Sequence, residues 1–154
     1  MPLPKTFRFL AGTIVAGLML CPPAAADSHQ PSLEDLKARI AKAAVSDRPP
    51  LCLQLSEMQL NAAGRYFALG DGDQAKAALT DVAAFAELAR DYSIQSHKHE
   101  KQSEIGVRKM VRKLNDLKHT VTLEDQPQID EAIGKLERVR DDLLTAMFPK
   151  GNKK

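Results

Sequence analysis

The side chains able to do chemistry are few, and they lie in separate parts of the 154-residue chain. Cys52 stands between Leu51 and Leu53 at the start of a helical pattern. At a helix N-terminus the dipole lowers a thiol pKa and makes a redox centre or a nucleophile, whereas burial makes the same residue a small hydrophobe. No His with an Asn or Asp is placed around it by spacing, so peptidase chemistry has no support; a redox or intermolecular-disulfide role stands beside the packing role. His97 and His99 flank Lys98 and precede Glu100. On a helix, residues two apart diverge by about 200°, so the two imidazoles do not share an ion, while His97 and Glu100 share a face and form a weak metal candidate.

Met58, Met110, Met147 and His119 are nominal haem ligands, but no Cys-x-x-Cys-His occurs and Met at core-stripe positions fills space. No cofactor is expected. Asp130-Glu131 and Asp141-Asp142 are adjacent carboxylates set among Lys135, Arg138 and Arg140. Neighbours on a helix point apart instead of converging on a substrate, so acid–base catalysis is not expected either. A non-enzyme follows.

Charge is unevenly distributed along the chain. Residues 47–91 hold 4 basic and 7 acidic side chains, whereas residues 98–118 hold 7 basic and 3 acidic. Lys101, Arg108 and Arg112 fall on one helical face with Lys109 and Lys113 beside them, a stripe suited to an acidic protein, to self-association through the acidic half, or to anionic lipid. No aromatic residues interleave with it, so a nucleic-acid partner is not expected.

The elements that must position these residues are helices. Ser32 with Asp35 reads as a capping box opening a first helix, with Leu33, Leu36, Ile40, Ala43 and Ala44 as its apolar stripe and Pro49-Pro50 as its stop. Leu51, Leu55, Met58, Ala62, Tyr66 and Leu69 mark one face of a second helix, which ends at the turn Gly70-Asp71-Gly72-Asp73. A third, long helix is capped by Asp71 or Asp73 and carries Ala75, Ala78, Leu79, Val82, Phe85, Leu88, Ala89 and Tyr92. Residues 93–103 lose the apolar stripe without a proline, so this helix either continues or kinks there before Ile105, Val107, Met110, Val111, Leu114, Leu117 and Val121 resume it; Gly106 is its weak spot. A last helix has Asp125 as cap, Pro127 in its first turn and Gln128 three residues past the cap, and it buries Ile129, Ile133, Leu136, Val139, Leu143, Met147 and Phe148. No alternating strand pattern occurs, so the expected fold is all-α: an antiparallel bundle of four or five helices over residues 32–148.

Tyr66, Gly70, Asp71, Ala75 and Leu79 stand at the spacings of a helix-turn-helix junction, and in this the segment resembles one hairpin of a tetratricopeptide repeat. A shift by that family's repeat length of about 34 residues puts Glu100 at the aromatic position and Ile105 in the turn. The resemblance therefore implies a helical hairpin and no solenoid.

The N-terminus carries Lys5 and Arg8, an apolar run over residues 9–20, and Ala24-Ala25-Ala26 before Asp27. That is the pattern of a secretory signal peptide over residues 1–26; the run is shorter than the roughly 20 residues a membrane span needs, so no transmembrane anchor is expected after cleavage. Leu20 before Cys21 is too large for lipoprotein processing. Cleavage leaves 20 basic residues, level with the 20 acidic ones, and removes Cys21, so Cys52 has no partner within the chain. Residues 27–31 read as a flexible leader and residues 149–154 as a basic flexible tail. The expectation is an exported, periplasmic or extracellular protein acting by protein contact as an adaptor, scaffold or chaperone-like bundle, with a metal or small-ligand carrier as the alternative.

Overall fold

The structure, a computed structural model, describes residues 31–149. The segment expected to be a signal peptide, most of the expected leader and the expected tail beyond Pro149 lie outside the described residues. Among those described there are five α-helices and no strand: α1 (Leu33–Lys42), α2 (Arg48–Ala68), α3 (Gly72–Ser96), α4 (Glu100–Lys118) and α5 (Gln126–Met147), with a 3-10 turn at Val45–Asp47. No helix among them is long and apolar enough to cross a membrane.

Helices α2 to α5 form a square. α2 packs on α3, α3 on α5, α5 on α4 and α4 on α2, while the backbones of α2 and α5 stand apart and α3 meets α4 only sparingly. α3 and α4 therefore occupy opposite corners, and α1 lies against α2. The centre is filled by Leu60, Leu79, Val82, Val107, Met110, Leu114, Ile129, Leu136, Val139 and Leu143, with Ala63, Ala78 and Ala86 where backbones approach closely. Each large side chain so buried is worth about 1.5–3 kcal/mol before ordering entropy is subtracted, which is how the bundle holds with no disulfide among the described residues.

The α1 capping box forms as expected: Ser32 Oγ accepts from Asp35 N–H at 3.1 Å and Asp35 Oδ2 accepts from Ser32 N–H at 3.2 Å. The prolines do not end α1. That helix stops at Lys42, Ala43 is extended at φ −73°, ψ 150°, and Pro49 and Pro50 sit inside the first turn of α2. A missing N–H is harmless there, because the first four donors of a helix have no partner within it. Arg48 is helical although it precedes a proline; its guanidinium donates to the Ala43 carbonyl at 3.0 Å and lies 5.0 Å from the centre of the Tyr92 ring.

The buried face of α2 also departs from expectation. It comprises Cys52, Leu55, Ser56, Leu60 and Ala63, while Leu51, Met58 and Ala62 are half-buried and Leu69 is exposed. α2 touches α1, α3 and α4, so apolar residues surround much of its circumference and spacing alone misjudges the phase. Phe148 likewise falls outside the core, exposed just past the end of α5. Asp125 precedes α5 but does not cap it with its side chain; its carboxylate accepts from Thr122 Oγ1 at 2.8 Å instead.

The long third helix is two helices. Lys98 N–H donates to the Ser93 carbonyl and His97 N–H to the Ile94 carbonyl, the paired bonds of a Schellman stop, with His97 left-handed at φ 52° where Gly is usual. His99 is left-handed too, at φ 64°. Below this turn the buried hydroxyls of Ser93 and Ser103 lie 2.8 Å apart, and small side chains at both positions let α3 and α4 meet. Gly106 is explained by packing: a Cβ there would stand 3.2 Å from Leu53 Cδ1, so the glycine lets α4 close on α2.

Candidate functional site

α4 turns its buried face, Ser103, Val107, Met110 and Leu114, towards the bundle centre. The 3.6-residue period then sends Lys101, Ile105, Arg108 and Arg112 directly outward, flanked by Lys109 and Lys113. All five basic residues are exposed, and Ile105 is half-buried. Asp116 is the one carboxylate on this outward face. Arg108 leans on Glu104, Nε to Oε1 3.7 Å, whereas Lys101, Lys109, Arg112 and Lys113 form no ion pair with a described residue. The stripe drawn from spacing is thus one continuous face with four unpaired cations. Beside it, between α2 and α4, runs a shallow groove of about 350 Å³ lined by Leu60, Gly64 and Leu117, with Lys113 and Asp116 at its rim.

The face is held by a carboxylate that spacing did not single out. Glu104 is 7% exposed, and its Oε1 accepts from Arg140 Nε on α5 at 3.2 Å while facing Arg108 on the other side. Its four-residue distance from Arg108 was visible in the sequence; its partnership with Arg140, 36 residues on, was not. A second cross-bundle tie links Arg90 of α3 to Asp142 of α5 at 2.8 Å, with Asp91 on the same guanidinium. Asp130 and Glu131 are taken up by Lys118 and Lys135, at 2.7 and 2.8 Å.

The metal candidate rests on geometry the chain does not adopt. Residues 97–99 form a turn outside any helix, so His97 and Glu100 share no helical face. His97 Nδ1 stands 3.9 Å from Glu100 Oε1 on a side chain 88% exposed, and His99 Nδ1 pairs with Gln102 Oε1. The turn and Met147 line an open groove of about 390 Å³. Among the described residues no three His, Cys, Asp or Glu side chains converge on one point.

Cys52 is fully buried five residues into α2, and burial pushes its thiol up to about 11, with Arg48 pulling weakly the other way. This reverses the expected effect of the helix terminus. The dipole acts within the first turn, and desolvation of the thiolate outweighs it. The nominal haem ligands are scattered: Met110 is in the core with Ser56 Oγ 3.2 Å from its sulfur, while His119 and Met147 terminate helices at opposite ends of the bundle.

No protein-family model, curated protein or solved structure matches the chain.

Proposed function

We propose that this is an exported, non-catalytic helical-bundle protein that works by binding another protein through the outward face of α4. The single observation that carries this reading is the row of cations at Lys101, Lys109, Arg112 and Lys113, which stand exposed and unpaired among the described residues although the chain as a whole is nearly charge-balanced. Exposed charges left without intramolecular partners act on what approaches from outside, steering and orienting an anionic surface. An adaptor or scaffold needs a rigid platform, and α4 supplies one through its buried stripe and the Glu104–Arg140 tie. The tetratricopeptide-like hairpin has this same use, as a packing unit within the platform.

The test is affinity capture by the purified protein from the cells that make it, compared with a variant carrying Lys109→Glu, Arg112→Glu and Lys113→Glu. Loss of a specific protein from the variant supports the reading. Identical capture by both forms removes it.

A further inference from the structure

The opposite corner of the bundle carries the complementary charge. α3 buries Ala75, Leu79, Val82, Ala86, Ala89 and Ser93, which leaves Asp73, Ala77, Thr80, Ala84, Glu87 and Asp91 as its outward row, with exposed Asp81 and Leu88 on one flank. Its two basic residues leave most of that row unneutralised: Arg90 pairs with Asp91 at 2.8 Å but shares its guanidinium with Asp142 of α5, and Lys76 lines a small cavity with Glu131 and Lys135 of α5, so Asp73, Asp81 and Glu87 form no ion pair with a described residue. Because α3 and α4 are diagonal, the acidic row and the basic row face in opposite directions. The molecule is charged oppositely on two opposed sides.

The two rows also match in spacing. The outward positions of α3 are separated by 4, 3, 4, 3 and 4 residues, and those of α4, Lys101, Ile105, Arg108, Arg112 and Asn115, by 4, 3, 4 and 3. This is the repeat that lets two helices keep a shared seam. Set parallel with a shift of 21 residues, Lys101 meets Thr80 beside Asp81, Ile105 meets Ala84, Arg108 meets Glu87 and Arg112 meets Asp91. On the flank, the stem of Lys109 covers Leu88, which is 38% exposed. The best antiparallel setting pairs only Arg108 with Asp91 and Arg112 with Glu87, and brings Lys101 against Lys98. A lipid surface fits less well, because the α4 row offers no Trp, Phe or Leu to enter the acyl boundary.

The geometry points to a second copy of this chain as a partner of α4: the basic α4 face of one molecule docks on the acidic α3 face of the next. The assignment rests on α4 being the working surface and goes beyond that reading by naming its occupant. Since donor and acceptor faces are different and opposed, the contact is head-to-tail and leaves a free face at each end, so association continues past the dimer. Exposed ion pairs are individually weak and are screened by salt, so assembly belongs to high local concentration and low ionic strength.

The experiment is sedimentation equilibrium of three proteins whose helix content is first matched by circular dichroism: the native chain, an α3 variant carrying Glu87→Lys and Asp91→Lys, and an α4 variant carrying Arg108→Glu and Arg112→Glu. At low salt and protein concentrations up to about 1 mM, the native chain forms species larger than a dimer, and these dissociate as salt screens the pairs over a Debye length of about 10 Å or less. Each variant alone sets like charges against each other at the two contact pairs, 87 with 108 and 91 with 112, and loses association by at least about tenfold. An equimolar mixture of the two variants regains it. A native chain that stays monomeric throughout, or a mixture that stays monomeric, overturns the proposal. If the native chain is monomeric while the α4 variant still loses capture of another protein, the self-docking fails and the α4 reading stands; if the α4 variant changes neither, both fail.

Discussion

The hydroxyls of Ser93 on α3 and Ser103 on α4 lie 2.8 Å apart, both fully buried, directly beneath the turn that separates the two helices. Each is the other's buried partner, so removing one strands its neighbour. Ser93→Ala or Ser103→Ala alone is expected to cost about 1–2 kcal/mol, and the double substitution less than the sum, because an unmet buried hydroxyl costs more than an absent pair. Urea unfolding of the four proteins of the cycle measures this coupling; additive losses would show that the two hydroxyls do not depend on each other.

Glu104 makes a second prediction. Its carboxylate is almost out of solvent and is met by Arg140 at 3.2 Å and more loosely by Arg108 at 3.7 Å. Arg140→Ala is expected to destabilise by about 1–3 kcal/mol, since a buried carboxylate loses its nearer cation, whereas Arg108→Ala is expected to cost less than about 1 kcal/mol. Denaturation midpoints of the two variants rank the ties.

At His97 the backbone is left-handed, φ 52°, and the side chain is 88% exposed. His97→Gly is therefore expected to raise stability by about 0.5–1 kcal/mol: relief of the left-handed strain outweighs the entropy that glycine adds to the unfolded chain. A shift of the thermal midpoint to higher temperature checks it, and a fall would mean that the histidine side chain contributes contacts beyond the turn.

The Cys52 thiol titrates at about 11 when folded, above its ordinary value of 9.0. A raised folded pKa means that both states hold the proton below pH 9, so stability there is indifferent to this group. Between about pH 9 and 11 the unfolded thiol ionises while the folded one does not, and stability falls. Cys52→Ala flattens that part of the stability–pH curve. Near neutral pH the native thiol is expected to react with a disulfide reagent only at the rate of global opening, and to form no intermolecular disulfide in oxidising buffer; fast labelling would restore the redox role.

Much of the architecture was legible because local rules and packing agreed. The Ser32–Asp35 capping box, the Gly70 turn at φ 74° and the apolar stripes of α4 and α5 all express chemistry contained within a few residues. What escaped prediction depended on distant partners or on unusual occupants. The turn at residues 97–99 uses histidines in conformations that normally advertise themselves as glycine or asparagine, so no stop signal stood in the sequence. Pro49 and Pro50 carry the same restriction whether they end one helix or begin the next, and only the Arg48 contacts with Ala43 and Tyr92 show which. The basic row was readable from the period of α4, but its lack of internal partners, and the acidic row opposite, required knowing that α3 and α4 stand at diagonal corners.

The central claim is that the outward face of α4 is where this protein meets its partner, and site-specific photo-crosslinking in the producing cells tests it most directly. A photoreactive residue at position 109 or 112 is expected to give discrete protein adducts that fade as salt is raised, while the same residue at exposed position 137 on α5 gives none. Adducts of equal yield at all three positions, or at position 137 alone, would contradict it.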